Sequence, residues 1–362
     1  MQKRADGVTQ SSVDLTALPI RGKVLNNGQT EEPIYLVTGA NGFTGSALVK
    51  SLVAQGIKVR GMVRREDALD FVRELGAQPV LADLTDFDAV HRAVQGTAGV
   101  YHIAAAFRQA GVPDSYFEDI NVGGTRNILE SCVQAGVRRV VHCSTVGVIS
   151  DTKTIPADET VPYAPADIYQ RTKMEGEKVA LEYFRSGRLA GLVIRPAMIY
   201  GPGDQRTLKL FKMVAEGKFF YVGPGNAHVH FIDVRDLAKA FQLGMERTDL
   251  NGEIYIIAGE RAFRLREMTG EIARFFNVAP PRLHLPVKPM QWLGSACEAI
   301  CTPLGISPPI FRRRVDFFTK ERSFNAARAH TELGFAPSQS SSDEITEICQ
   351  WYVDHGLIKP RT

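Results

Sequence analysis

The sequence predicts an α/β protein with a doubly wound parallel sheet and a smaller, mixed C-terminal domain. Short apolar segments alternate with amphipathic ones from Pro33 to about Ile199, as expected for β–α–β units whose strands are buried on both faces. A turn with three glycines follows the first apolar segment. Beyond Ile199 the alternation becomes irregular and richer in Gly and Pro, which indicates a second domain of different architecture.

Apolar periodicity places the elements in chain order. We expect strands at 33–37, 57–63, 78–82, 99–105, 138–143 and 190–195, and helices at about 43–55, 68–75, 86–94 and 121–135 and around Tyr169. The first domain should span 33–198 and receive a later contribution from about 226–258. Most of 199–362 should form the second domain, and residues 1–32 a flexible N-terminal extension.

Composition excludes several functional classes. The 362 residues are 44% hydrophobic and 23% charged, and a formal charge of +3 is too small to indicate nucleic-acid binding. The five cysteines include no C-x-x-C pair and no zinc pattern, so reduced thiols and no metal are expected. No signal-peptide-like segment or membrane-spanning apolar run is visible. We therefore expect a soluble, cytoplasmic protein that acts on a small molecule.

The turn VTGANGFTG at 37–45 is a candidate phosphate site. Glycine allows a tight turn and close approach of the backbone to a pyrophosphate, and the following helix offers free N–H groups. The spacing of the glycines departs from G-x-G-x-x-G. The turn nevertheless lies between the first strand and the first helix, where a dinucleotide-binding turn is expected. The residues expected to contact the cofactor here are Gly39, Asn41, Gly42, Phe43, Thr44 and Gly45.

The end of the second strand bears on the choice of dinucleotide. An acidic residue there favours NAD, whereas this chain has Arg64 and Arg65. Guanidinium groups suit the 2′-phosphate of NADP, so NADP is the preferred cofactor and NAD the alternative. Solvent-facing arginines without a cofactor role are the other interpretation. The remaining expected cofactor contacts on neighbouring strands are Asp83, Leu84, Ala104 and Ala105, with Ala106 completing the small run.

The segment YQRTK places Tyr169 and Lys173 one turn apart on a predicted helix that Asp167 can start. A phenol has a pKa of about 10, and a neighbouring ammonium favours the phenolate. The pair is therefore a candidate acid/base. A solvated helix face is the alternative.

Together these segments resemble the extended short-chain dehydrogenase/reductase superfamily, over about Pro33 to the C-terminus. The matching motifs occur in the order of that superfamily: TGANGFTG from Thr38, DL from Asp83, NVGGTRNIL from Asn121, HCSTVGV from His142, YQRTK from Tyr169, IRPAMIYGPGD from Ile194 and FIDVRDLAKA from Phe231. The resemblance implies a Rossmann domain that binds NAD(P) and a substrate domain. It also implies a homodimer formed through helices near the catalytic tyrosine.

The resemblance assigns roles to individual residues. Tyr169 would move the hydroxyl proton, and Lys173 would also hold the nicotinamide ribose. Thr145, with Ser144 as the fallback, would polarise the substrate oxygen. Asn121 would order a proton-relay water, although N-capping its own helix is an equally good interpretation. Pro196 and Ile199 would contact the cofactor.

Two branches of the superfamily compete for the substrate. Nucleotide-sugar epimerases and dehydratases usually carry an asparagine and an arginine where this chain has Met198 and Val229, and His228 and His230 replace them only in part. VRGMVR and IRPAMIYGPGD resemble the 3β-hydroxysteroid dehydrogenase and dihydroflavonol reductase branch instead. We therefore expect an oxidoreductase for a secondary alcohol or ketone of an apolar ring compound. An epimerase or dehydratase that retains NAD is the alternative, and a non-catalytic NADP-binding sensor is a third.

The segment 286–314 suggests one further partner. It is apolar and ends in Arg312, Arg313 and Arg314, so it is a candidate helical lid that touches an anionic membrane surface weakly. A helix packed on the substrate domain is the alternative and preferred interpretation.

Overall fold

The computed structural model describes residues 24–26, 29–109, 111–150, 153–301 and 312–359. Its strands are β1 (Val24–Asn26), β2 (Gln29–Glu31), β3 (Ile34–Thr38), β4 (Lys58–Val63), β5 (Gln78–Leu81), β6 (Gly99–His102), β7 (Arg139–Cys143), β8 (Ala190–Pro196), β9 (Met198–Tyr200), β10 (Tyr221–Val222), β11 (His228–Val229), β12 (Phe231–Asp233), β13 (Ile254–Ile257), β14 (Phe263–Arg264) and β15 (His284–Leu285).

The α-helices are α1 (Phe43–Ala54), α2 (Leu69–Glu74), α3 (Phe87–Val94), α4 (Asp114–Glu118), α5 (Gly124–Gln134), α6 (Ile168–Arg185), α7 (Leu208–Ala215), α8 (Val234–Glu246), α9 (Leu265–Phe275), α10 (Val287–Cys301), α11 (Arg312–Thr319) and α12 (Ser341–Asp354). None of the helices in the described ranges has both the length and the apolar character needed to cross a bilayer.

The main sheet is parallel, with seven strands in the order β13-β8-β7-β6-β3-β4-β5. Within this sheet the chain enters at β3, runs outward through β4 and β5, and then returns to β6 on the other side of β3. The order therefore reverses between β3 and β6, and ligands of such sheets bind in the crevice at the carboxyl ends of these strands. This confirms the predicted Rossmann fold.

Helices cover both faces of the sheet. On one face α1 packs against α8, and on the other α5 packs against α3 and α6. Each face has its own apolar core, which explains why the sheet strands read as continuous apolar runs rather than alternating ones. The strand β13 and the helix α8 both come from the segment 226–258.

The second domain combines short strand pairs with helices. The pairs are β9–β12, β10–β15 and β11–β14, and α9 packs against α7 and α12. A third core, rich in aromatic side chains, holds these elements together. The exact domain bounds stay a prediction.

Two features differ from the expectations. The helix predicted from Asn121 begins at Asp114 and continues through a π-helical turn at Asp119–Gly123, so Asn121 lies inside it and cannot N-cap it. Within the predicted N-terminal extension, β1 and β2 pair antiparallel. Residues 1–23, 27 and 28 lie outside the described residues.

Candidate active site

The glycine turn follows β3 directly and leads into α1. Gly39 has φ +68°, and the Gly42 N–H donates to the Gly39 carbonyl oxygen at 2.9 Å. A Cβ on Gly45 would overlap that same oxygen. No side chain caps the N-terminus of α1 at Gly42, so no capping side chain takes up its first N–H groups. These residues fit the pyrophosphate of a dinucleotide.

Thr38, which the sequence analysis missed, fastens this turn to the neighbouring strand. Its hydroxyl oxygen accepts the N–H groups of Ile103 and Ala104, both at 2.9 Å. Ala104 in turn lies so close to Gly39 that a Cβ there would be 3.1 Å from the Ala104 Cα. The predicted contacts Gly39 and Ala104 therefore lie together. The sequence feature that could have identified Thr38 is its hydroxyl side chain directly before the first glycine of the turn.

The four predicted residues beyond β4 and β5 lie at the same edge. Arg64 donates to the hydroxyl of Tyr116 at 3.0 Å, whereas Arg65 pairs with Asp67. The carboxylate of Asp83 accepts the N–H and hydroxyl of Thr85, and the buried side chain of Leu84 lies against Gly124. The charge of Arg65 is thus already balanced, which leaves Arg64 as the better candidate for a phosphate.

Asn121 uses its side chain to join the cofactor crevice to α6. Its Oδ1 accepts the Ala106 N–H at 2.8 Å, and its Nδ2 donates to the Ala106 carbonyl and to the hydroxyl of Thr172. The backbone there is equally close to α6, because a Cβ on Gly176 would overlap the Asn121 carbonyl oxygen. This side chain positions the loop after β6. The water-ordering role stays a prediction.

The candidate catalytic residues lie near the carboxyl end of β7. The side chain of Asp167 accepts the Gln170 N–H and so begins α6, with Tyr169 in its first turn. One turn later Lys173, only 4% exposed, donates from Nζ to the Cys143 carbonyl at 2.6 Å. Thr145 lies two residues beyond Cys143 in the chain.

The two hydroxyl candidates have different surroundings. Thr145 Oγ1 accepts the Gly147 N–H at 3.0 Å and begins a 3₁₀ turn. Ser144 is buried, and its hydroxyl donates to the carboxylate of Glu177. Because that hydroxyl is committed to a buried carboxylate, Ser144 is the weaker candidate.

The pKa of Tyr169 moves opposite to the expectation. Burial raises the pKa of this phenol well above its ordinary value of 10, and the guanidinium groups of Arg108 and Arg206 lower it in part. Burial also lowers the pKa of Lys173, whose ammonium is directed to the Cys143 carbonyl. Removal of the phenol from water therefore outweighs the nearby positive charges.

Arg108 is the second residue that the sequence analysis missed. Its guanidinium pairs with Asp167 at 3.0 Å and lies 5.2 Å from the centre of the Tyr169 ring. Phe107 meets the same ring edge-on at 5.1 Å between centroids. Both residues follow the alanine run after β6, so a single loop contacts the cofactor crevice and orients the tyrosine.

A buried ion pair holds α6 against the sheet. Arg195 of β8 donates from Nε and Nη2 to Glu177, which lies one turn after Lys173. The hydroxyls of Ser144 and Tyr163 donate to the same carboxylate. The shared acceptor fixes α6 relative to β7 and β8.

The predicted contacts Pro196 and Ile199 lie at and just beyond the end of β8. The Ile199 carbonyl accepts from Arg206, whose guanidinium also pairs with Asp204 and lies 5.0 Å from the ring centre of Phe43. The loop after β9 thus reaches the start of α1.

The positions that separate the two substrate branches are apolar or already paired. Val229 is fully buried in the core of the second domain, and Met198 packs against that core. His228 pairs with Glu321 at 2.7 Å. His230 accepts the Phe324 N–H at Nδ1, so Nε2 donates to the Gly259 carbonyl. Both histidines are engaged within the protein.

Comparison with known proteins agrees with this geometry. The profile of the NAD dependent epimerase/dehydratase family matches residues 35–258. Sterol demethylase protein B of Methylococcus capsulatus is 30% identical, over 89% of this chain and 99% of its own. The 3 beta-hydroxysteroid dehydrogenase/Delta 5→4-isomerase of Mycobacterium tuberculosis is 28% identical, over 90% of this chain and 91% of its own.

A sugar-modifying relative is similar at a comparable level. N-acetyl-alpha-D-glucosaminyl-diphospho-ditrans,octacis-undecaprenol 4-epimerase of Escherichia coli O157:H7 is 26% identical, over 88% of this chain and 95% of its own. Among solved structures, gox2253 superposes with a TM-score of 0.75 at 29% identity, covering 90% of this chain and 99% of that chain. The chain belongs to the NAD dependent epimerase/dehydratase family, within the extended short-chain dehydrogenase/reductase superfamily that its motifs resemble.

Proposed function

We propose that this protein transfers a hydride between a nicotinamide dinucleotide and a substrate carbon that bears a secondary hydroxyl or keto oxygen. The observation that carries the proposal is the placement of Tyr169 and Lys173 one turn apart on α6. Lys173 binds the carbonyl at the end of β7, and Thr145 follows that strand two residues later. When bound, the nicotinamide supplies or accepts the hydride.

The chain itself handles the proton and the substrate oxygen. Thr145 accepts a hydrogen bond from Gly147, so its own O–H remains available to donate to the substrate oxygen. Burial raises the pKa of Tyr169, which keeps the phenol protonated at neutral pH. A protonated phenol donates to the oxygen of a ketone as it is reduced, so the arrangement favours the reductive direction.

NADP is the proposed cofactor, with NAD as the alternative. Arg64 lies just beyond β4 and donates to the neutral hydroxyl of Tyr116, whereas Arg65 pairs with the carboxylate of Asp67. A guanidinium in this position can bind the ribose 2′-phosphate of NADP through charge-assisted hydrogen bonds.

An apolar ring compound, such as a sterol-like or flavonoid-like ketone, is the proposed substrate. Val229 and Met198 offer no charge to a sugar-nucleotide diphosphate. Arg108 and Arg206, the guanidinium groups near Tyr169, each pair with a carboxylate. The sterol-related and steroid-related relatives support this class. The 4-epimerase relative is named for a sugar linked through a diphosphate to undecaprenol, and it keeps a sugar diphosphate, the group that nucleotide sugars also carry, as the second candidate.

Calorimetric titration with NADP⁺, NAD⁺ and UDP tests both assignments. We expect NADP⁺ to bind more tightly than NAD⁺, and UDP to release no measurable heat. Arg64→Ala should weaken NADP⁺ by about tenfold or more while leaving NAD⁺ nearly unchanged. Arg73→Ala, on the exposed surface of α2, is the matched control. Equal losses for both dinucleotides would refute the 2′-phosphate role, and firm UDP binding would favour the epimerase class.

A further inference from the structure

The helix α10 exposes an apolar face. Trp292 is 74% exposed and Leu293 is 47% exposed, although large apolar side chains usually lie inside. Pro289, Ala296 and Ala299 are exposed on the same side, at intervals of three and four residues. The apolar residues thus form one stripe, and Lys288 and Ser295 lie at its edge. We call this surface the α10 stripe.

The opposite side of α10 packs inward. Gly294 is buried, and Val287, Met290 and Cys297 are less exposed than the α10 stripe. The helix packs against α11, whose Val315 is buried and whose Phe318 ring contacts Phe219 of the second domain. The helix therefore has two apolar sides, of which the protein covers only one. An uncovered apolar side is unusual for a helix that faces water.

The surrounding sequence is strongly basic. Residues 279–315 contain one acidic residue, Glu298, and five basic ones: Arg282, Lys288, Arg312, Arg313 and Arg314. Their net charge is +4, whereas the whole chain carries +3, so the other residues together carry −1. Positive charge is thus concentrated in the sequence segment that contains the α10 stripe.

We propose that the α10 stripe docks on the surface of an anionic lipid bilayer. Tryptophan and leucine on a helix face insert at the boundary between headgroups and acyl chains, and the basic residues attract anionic headgroups. A second copy of this chain would bring another positive surface against the first and be repelled. The interaction is peripheral and reversible, because the stripe holds only two large apolar side chains. It does not depend on which reaction the protein catalyses.

The chain provides its own reporter for this contact. Trp292 and Trp351 are its two tryptophans, so Trp351→Phe leaves Trp292 as the single tryptophan of the full-length protein, which can be excited selectively over the tyrosines. On mixing with vesicles of phosphatidylcholine and phosphatidylglycerol, we expect a blue shift of the emission and quenching by brominated lipid. Pure phosphatidylcholine vesicles should bind about tenfold or more weakly, and added salt should release the protein.

Vesicle co-sedimentation of variants identifies the surface. Trp292→Ser combined with Leu293→Ser should abolish sedimentation with anionic vesicles, and Lys288→Glu should reduce it severalfold. Phe71→Ser removes an exposed aromatic side chain of α2 and should bind as the wild type does. Circular dichroism verifies that each variant is folded. Unchanged sedimentation of the double variant would overturn the proposal, as would a doubled mass in light scattering that the double variant abolishes.

Discussion

Asp167 serves two groups with one carboxylate. Its Oδ1 accepts the Gln170 N–H that begins α6, and its Oδ2 accepts from the guanidinium of Arg108. The helix start, and with it Tyr169, is therefore tied to the loop after β6. Since Arg108 also lies against the Tyr169 ring, it both orients the phenol and brings positive charge to it.

Arg108→Gln should shift the pH profile of turnover. Burial raises the pKa of Tyr169, and the positive charge of Arg108 lowers that pKa in part. Loss of the Arg108 charge should therefore raise the pKa of Tyr169 further. Alcohol oxidation needs the deprotonated phenol, so its rate rises with pH. This rise should move to higher pH by about one unit in the variant. Arg108→Lys retains the charge and should restore part of the shift. The same profile in all three proteins would contradict this role.

At the scale of elements, α6 carries the candidate catalytic pair and is fixed to the sheet by polar contacts. The Glu177–Arg195 pair lies fully inside the protein and also receives the hydroxyls of Ser144 and Tyr163. Buried charges are stable there only when each finds its partner. The position of Tyr169 relative to β7 therefore depends on an interaction two turns away.

Glu177→Gln should destabilise the fold strongly, because the Arg195 guanidinium would keep its charge without a buried counter-charge. We expect a loss of about 3–5 kcal/mol in the free energy of unfolding, measured by urea denaturation. Replacing both partners, with Glu177→Gln and Arg195→Met, should lower the free energy of unfolding by less than Glu177→Gln alone does. A single variant as stable as the wild type would refute the anchoring role.

The sequence predicted the sheet and most helices because apolar periodicity reports burial directly. The prediction was wrong at Asn121, since an asparagine before a helical pattern looks like an N-cap. The preceding helix α4 has only five residues, which is too short for its apolar periodicity to be recognised. It also missed Arg108, whose partner Asp167 is 59 residues away. Contacts of that kind depend on tertiary structure and leave no local pattern.

At the scale of the whole molecule, strand order brings distant segments to one edge of the sheet. The glycine turn after β3, the loop after β6, the end of β7 and the start of α6 all meet beside the crevice between β3 and β6. The predicted site residues share this region because they follow neighbouring strands. Their roles with cofactor and substrate stay predictions until turnover is measured.

The central claim is that Tyr169 moves the proton in a reaction of the bound dinucleotide. A screen of ketosteroids and other apolar ring ketones with NADPH and NADH supplies the assay. Tyr183, further along α6, donates to Glu130 at 3.0 Å, so Tyr183→Phe is the matched control.

The most direct measurement is the turnover of Tyr169→Phe, together with its affinity for the dinucleotide. We expect a loss of about 10²–10⁴-fold or more in kcat with nearly unchanged cofactor binding, while Tyr183→Phe keeps wild-type turnover. Turnover by Tyr169→Phe at the wild-type rate would contradict the account.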